Sequence, residues 1–250
     1  MVNKDLIQKQ FSEKNKDPKN VAQMFNEIAP RYDLMNDFMS FYTHKKTRKF
    51  ALTLVSSKRP LKIMDLATGT GDFAFLHAKN KNLKYSEIIG LDFSLGMLKV
   101  GKLRAKKLGL LDKIKFVKGD IMNLPYPDNQ FDLLTIGYGI RNVVDIPYGL
   151  KEIFRITKPG GSFLVVEATP PLNPVWRFLV KFYFEKLVTR MSRFFSSAPV
   201  GYEYFMKSVS AFYNALEFTQ KLQEAGFHKI RWFPQVWGSV TVFQAIKPAN

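Results

Sequence analysis

Cysteine is absent from this chain, which excludes disulfides, thiolate nucleophiles and cysteine-held zinc or iron–sulfur centres, and accords with a reducing cytoplasm. Any catalysis must therefore run on oxygen, nitrogen or a bound cofactor. Long apolar runs are also missing. The opening segment MVNKDLIQKQFSEKNKDPKN has no apolar h-region of a secretory signal, and no later stretch reaches about 18 uninterrupted apolar residues. The expectation is a cytoplasmic protein that does not span a membrane. Acids are scarce beside bases, 21 against 38, for a formal net charge of +17. That balance suits nucleic acid, an anionic membrane surface or a solvated lysine-rich exterior. Histidine is down to His44, His77 and His228. None has a partner cluster, so no metal site is expected, and a lone histidine such as His44 more often braces a helix than reacts. No internal repeat or low-complexity segment stands out.

What is present is enough for one sizeable α/β core, with 250 residues at 46% hydrophobic content, but short for two enzymatic domains. The reading is a polar, mobile tail over residues 1–20 and one domain over 21–250. From Leu61 a short apolar run, a Gly- or Asp-bearing turn and a helix-like stretch alternate. The runs are LKIMDLA, EIIGLDF, KIKFVKGD, FDLLTIGYG and GSFLVVEAT, with helices expected at Asp72 to Lys81, Ser94 to Leu108 and Tyr148 to Ile156. This predicts a parallel sheet with helices on both faces. Later, Asn173 to Phe195 reads as a basic, aromatic-rich helix and Val209 to Ala225 as another, stopped by Gly226. Together, residues 173–225 form a helical insertion on the substrate side. The last runs, KIRWFPQVW and SVTVFQAIK, are separated only by Gly238 and a neighbouring Ser and should pair as an antiparallel hairpin. A mostly parallel, seven-stranded Rossmann-like sheet closed by such a hairpin is the usual shape of class I methyltransferases. Residues 21–56 look helical and amphipathic, punctuated by Pro30 and the polar group YDLMND, and are expected to cap the ligand face.

The sharpest chemical feature is IMDLATGTGDFA: a strand ending at Asp65, a loop through Gly69, Thr70 and Gly71, and a helix starting near Asp72. The glycines let a ligand approach the backbone closely. Gly69, Gly71 and Ala74 also match the dinucleotide fingerprint, with Asp92 at the spacing of its ribose-binding acid. Charge separates the two ligands. A pyrophosphate wants bare amides at a helix N-terminus, whereas S-adenosylmethionine brings an ammonium and a sulfonium, and Asp65 and Asp72 favour the cation. Asp92 would accept from ribose hydroxyls and Asp120 from the adenine amino group. A single strand-end Asp is as readily a helix cap; the ordered set is not so easily dismissed.

Two segments, YDLMNDFMSFYTH from Tyr32 to His44 and RITKPGGSFLVVEAT from Arg155 to Thr169, give the chain its family character. With LPYPDNQFDLLTIGYGIRNVVD and YEYFMKSVSAF, the stretch from about Val21 to Phe243 resembles the demethylmenaquinone and 2-polyprenyl-6-methoxybenzoquinol C-methyltransferases of menaquinone and ubiquinone synthesis. The resemblance implies S-adenosylmethionine as cofactor, S-adenosylhomocysteine as product, no metal, and a polyprenylated quinol as partner at the inner face of the membrane. It carries Gly69, Thr70, Asp92, Asp120 and Ile121 over as cofactor contacts, with Asp65 and Gly71 beside them and Gly137 more weakly. Three positions depart from the family: Thr68 stands at a usual glycine, Thr47 at a usual tryptophan, and Gly137 at a frequent serine.

Methyl transfer to a ring carbon needs in-line alignment and exclusion of water. The ring gains nucleophilicity when a reduced quinol loses a phenolic proton, so a base and an anion stabiliser are sought. Arg141 and Asn142 follow the fourth strand at the ligand edge; Arg141 would stabilise a phenolate and Asn142 orient a ring oxygen, while Tyr32 and Asp33 face them from the cap. Arginine itself does not accept protons, and an ion pair bracing a loop is an equal use for it. The 173–195 helix would line a prenyl tunnel, lie on lipid, pack in the core or make a homodimer contact. Methylation of another aromatic, lipid or RNA, a nucleotide-dependent oxidoreductase, and a non-catalytic cofactor-binding component of a quinone-synthesis complex remain as alternatives. Nucleic acid is not favoured, because no recognisable RNA module or localised basic stretch is present.

Overall fold

The computed structural model describes residues 18–29, 32–40, 42–183 and 207–249. Among them, seven strands form one sheet: β1 (Leu61–Leu66), β2 (Tyr85–Asp92), β3 (Lys115–Lys118), β4 (Phe131–Gly137), β5 (Thr157–Ala168), β6 (His228–Gln235) and β7 (Val240–Ile246), in the order β3-β2-β1-β4-β5-β7-β6. The first five run parallel, while β7 pairs antiparallel with both β5 and β6. β1 and β4 are buried along almost their whole length, which is why they read as continuous apolar runs rather than alternating ones. Each Leu, Ile or Phe so buried contributes about 1.5–3 kcal/mol relative to exposure.

Helices fill both faces: α4 (Asp72–Lys79), α5 (Leu95–Lys107) and α6 (Ile146–Ile156), with α7 (Pro174–Phe182) and α8 (Ala215–Glu224) after β5. Their starts follow local chemistry. Ser94 caps α5 by accepting from the Met97 amide, Asp145 caps α6 from Tyr148, and Asn173 caps α7 ahead of Pro174. One core, around Phe131, Leu134, Phe163, Phe218 and Phe243, lies under α6 and α8; the other, around Ile63, Phe73, Leu133 and Val166, lies under α4.

The expected cap is helical, as α1 (Pro18–Ile28), α2 (Tyr32–Ser40) and α3 (Thr43–Thr53), but YDLMND does not interrupt it, because these residues form the first turns of α2. The first helix begins at Pro18, inside the span assigned to the tail. Two further expectations are corrected. The helix placed at Val209 to Ala225 starts at Ala215, because Asn214 and Glu217 form a capping box that ends the preceding turn. The hairpin turn is not two residues: Val236 to Ser239 separate the strands, with Val236 and Trp237 in left-handed backbone at φ of 48° and 54°. Of the helix expected from Asn173 to Phe195, the portion beyond Tyr183 lies outside the described residues, as does the start of YEYFMKSVSAF.

Candidate active site

The chain leaves β1 outward to β2 and β3 and then returns to the other side of β1 as β4, so strand order reverses between β1 and β4. Open α/β sheets bind ligands outside the strand ends at such a reversal. A cleft open to solvent lies there, walled by Ala67, Asp92, Phe93, Asp120, Ile121 and Asn142 among others, with Val21 of α1 contributing from the cap. The structure thus brings four of the residues singled out above, Asp92, Asp120, Ile121 and Asn142, to one surface.

Asp92 is the centre of the cleft's hydrogen bonding. One carboxylate oxygen accepts from the Gly69 amide at 2.8 Å and the other from Ser94 at 2.8 Å. An ionised carboxylate has about four acceptor positions, and three backbone amides, of Ser94, Gly69 and Phe93, act on this one, so capacity for a ligand hydroxyl remains. Burial pushes its pKa up to about 6, against the pull of the backbone amides of Ser94, Gly69 and Phe93. Asp120 is exposed and accepts from the Met122 amide. Apolar Ile121, Phe93 and Leu91 supply faces for a flat ring. A purine nucleoside fits these walls: apolar sides, a deep acid for a diol and an outer acid for an amino group.

Asp65 is elsewhere. It is 1% exposed beneath the loop, and its two oxygens take the hydroxyls of Thr68 at 2.6 Å and Thr135 at 2.8 Å. Burial raises it to about 7. Thr68, one of the departures from the family, is thus the partner of Asp65, and Gly90 on β2 leaves the space for its methyl group. The loop itself needs its glycines, with φ of 56° at Gly69 and 95° at Gly71, where a Cβ would strike the Phe75 ring at 2.7 Å. The amides of Gly69 and Gly71 are already used, by Asp92 and the Thr68 carbonyl. A pyrophosphate, which needs such amides, is poorly served. At the start of α4 sits Asp72; burial pushes it up, but Arg48 and Arg104 outweigh that and hold it below the usual carboxylate range.

Thr70 faces the cap. Its hydroxyl donates to Asp33 at 2.6 Å and accepts from Arg104 at 2.7 Å, and Arg104 also pairs with Asp33 and Asp72. Asn26 of α1 accepts from Ser94 and from the Gly96 amide, where the absence of a Cβ lets the helices touch. Aromatic edges from Tyr32 through Phe25 to Phe93 join cap and cleft. Burial raises the Tyr32 pKa, so its phenol stays protonated.

Arg141 is 6% exposed and tightly held. Its Nη1 donates to Glu167 at 2.6 Å and to the Tyr138 carbonyl at 2.7 Å, and its Nε donates to Ser208 at 3.2 Å. Glu167, fully buried at the end of β5, belongs to the Arg155 to Thr169 segment yet was not picked out. In a stretch of strand, an inward acid looks like one more alternation until its partner is known. Tyr138, at φ 62°, and Thr47 share a hydrogen bond between their hydroxyls at 3.0 Å. His44 is buried between Ser40 and Asp37, and burial lowers it to about 4, so it braces the cap uncharged. Among the described residues, no three His, Asp or Glu side chains group as a metal site would require.

A sheet of this order, closed by an antiparallel pair and carrying acids at successive strand ends beside a glycine loop, defines a class I S-adenosylmethionine-dependent methyltransferase. The same fold is found in such an enzyme from Thermotoga maritima, with a TM-score of 0.64 at 19% identity over 90% of this chain and 98% of that one. The chain belongs to the ubiE/COQ5 methyltransferase family, whose model matches residues 12–247. It is 34% identical to the demethylmenaquinone methyltransferase of Bacteroides fragilis over 239 residues, 96% of this chain and 97% of that protein. It is 37% identical to that of Paenarthrobacter aurescens over 233 residues, 93% and 88% respectively.

Proposed function

We propose that this protein transfers the methyl group of S-adenosylmethionine to a ring carbon of a reduced demethylmenaquinol, with a polyprenyl methoxybenzoquinol as the alternative acceptor. The observation that carries this reading is the buried Arg141–Glu167 pair, one residue from Asn142 on the cleft wall, in a chain whose relatives are named for demethylmenaquinone.

The cofactor supplies a methyl group already activated by its sulfonium. The chain's own residues supply the rest. Asp92 and Asp120 hold the nucleoside, and the apolar cleft walls exclude water. Asn142 orients a ring oxygen. Arg141, kept charged and aimed by Glu167, stabilises the phenolate formed when the ring hydroxyl loses its proton, which is worth far more in a dry site than in water. Tyr32, protonated at neutral pH, donates to a ring oxygen from the cap.

A long isoprenoid tail needs an apolar route. The outer face of α7 supports one: Val175, Phe178 and Phe182 are more than half exposed, and Trp176 stacks at 5.2 Å on the exposed Trp237 of the β6–β7 turn. In this reading α7 rests against the membrane that holds the substrate. No helix among the described residues is long and apolar enough to cross it.

The test is turnover with methyl-labelled cofactor against naphthoquinol and benzoquinol acceptors, each offered reduced and oxidised. Methylation of the reduced naphthoquinol is expected. Methylation confined to oxidised quinone would overturn the chemistry, and cofactor binding with no transfer to either ring would point to a non-catalytic role.

A further inference from the structure

Arg48, on α3, is an arginine without an adequate partner. It is 6% exposed, and its Nη1 lies 3.3 Å from an Asp72 oxygen but makes no hydrogen bond to it or to any other group. Arg104 holds the other Asp72 oxygen at 2.8 Å, so Arg48 shares this carboxylate with a second guanidinium. The Arg48 guanidinium is flanked by the Tyr138 ring at 5.0 Å and the Phe73 ring at 6.0 Å. Buried N–H groups are seldom left unbonded, and a buried guanidinium least of all.

Its place in the fold says what it awaits. Gly137 ends β4 and Asp72 begins α4, so Arg48 spans the strand-order reversal just past the Gly69–Gly71 loop. A nucleoside seated on Ile121 and Asp92 occupies the β2–β3 side. Whatever extends from its ribose toward the reacting face must pass the ends of β1 and β4. In S-adenosylmethionine that extension is an amino acid, and its carboxylate is the cofactor's anionic group. A guanidinium matches a carboxylate in charge and in fork geometry.

Gly137 bears on the same point. A Cβ built there would lie 3.0 Å from the Arg48 Nε and 3.0 Å from the Phe73 ring. The guanidinium and the ring thus crowd the space a side chain at position 137 would enter.

We propose that Arg48 binds the α-carboxylate of the cofactor's amino-acid half, with the bare Gly137 leaving the guanidinium its room. This rests on the cofactor reading above, and the test separates the two. Titration calorimetry would compare S-adenosylhomocysteine with its decarboxylated analogue, which lacks only that carboxylate. The wild-type protein should bind the decarboxylated compound on the order of 30-fold more weakly. Arg48→Met should weaken S-adenosylhomocysteine by a similar factor and leave the analogue unchanged, and Arg48→Lys should restore part of the difference. Equal affinity of the wild type for the two compounds overturns the proposal without any variant needing to fold. Equal losses for both compounds in a folded Arg48→Met protein also overturn it. Failure of the wild type to bind either would instead remove the cofactor reading.

Discussion

At the residue scale, the cleft is controlled by how burial and partners divide its acids. Asp92, raised to about 6 by burial, is the better acceptor for ribose hydroxyls when ionised. Its proton must therefore leave before the nucleoside binds well. Affinity for S-adenosylhomocysteine should be flat above about pH 7 and fall toward tenfold per pH unit below about 6. Calorimetry across pH 4.5–8 checks this, and Asp92→Asn should bind weakly with no such slope. Glu167 acts at one remove. Replacing it with glutamine removes the countercharge of the buried Arg141, which keeps its bonds to Tyr138 and Ser208, so the cost in stability should stay below the roughly 3–5 kcal/mol of a fully broken buried pair. Glu167→Gln should lower turnover on the order of 100-fold while the dissociation constant for S-adenosylhomocysteine changes little. Equal losses in both would make the pair merely structural. The place of Asp92 at the cleft was legible because it ends a strand about 20 residues past a glycine loop and belongs to an ordered set of strand-end acids. Asp33 was marked only by its segment, and Glu167 and Arg48 gave no signal, since the partner that gives each its meaning is distant in sequence.

At the scale of elements, the parallel strands, with their apolar runs and glycine or aspartate turns, were readable because both faces of such strands are buried. Boundaries were harder. The apolar periodicity from Val209 runs across Asn214, yet Asn214 and Glu217 satisfy each other's backbone and the capping box outweighs the pattern. The β6–β7 turn was misjudged for another reason. Val236 and Trp237 take left-handed backbone angles, a cost of about 1–3 kcal/mol each, and the turn carries Trp237 onto Trp176 of α7. That contact joins two elements no local rule would connect. The outer face of α7 should matter only when the acceptor sits in a bilayer. Phe178→Ser with Phe182→Ser is expected to cut turnover on vesicle-held long-chain quinol on the order of tenfold and to leave turnover on a detergent-soluble short-chain quinol unchanged. Equal losses on both would return α7 to packing, and loss of a dimer in sedimentation would make the face a contact between copies.

At the scale of the whole molecule, the cap and the sheet close over one cleft through a few polar contacts: Asp33 with Thr70 and Arg104, and Asn26 with Ser94 and Gly96. Asp33 is only partly buried, so its pair with Arg104 is of the kind that contributes about 1 kcal/mol or less. Asp33→Ala should speed amide exchange in α1 to α3 about tenfold or more and leave β1, β4 and β5 as protected as before. Saturating S-adenosylhomocysteine should restore much of the difference. Uniform acceleration across the sheet would show instead that the cap is part of the global fold.

The sequence by itself determined what short-range chemistry can determine: the strand-and-helix alternation, the glycine loop, and the family through Tyr32 to His44 and Arg155 to Thr169. Each is a property of neighbours along the chain. Only the tertiary structure decided that Asp65 turns inward to Thr68 and Thr135, that Arg141 is held by Glu167, and that Arg48 fills the space over Gly137. These outcomes depend on which strand ends meet where the sheet order reverses and on how α3 crosses them. Apart from Asp65 with Thr68, three residues on, these contacts join residues 26 to 89 positions apart, and the intervening chain carries no trace of the pairing.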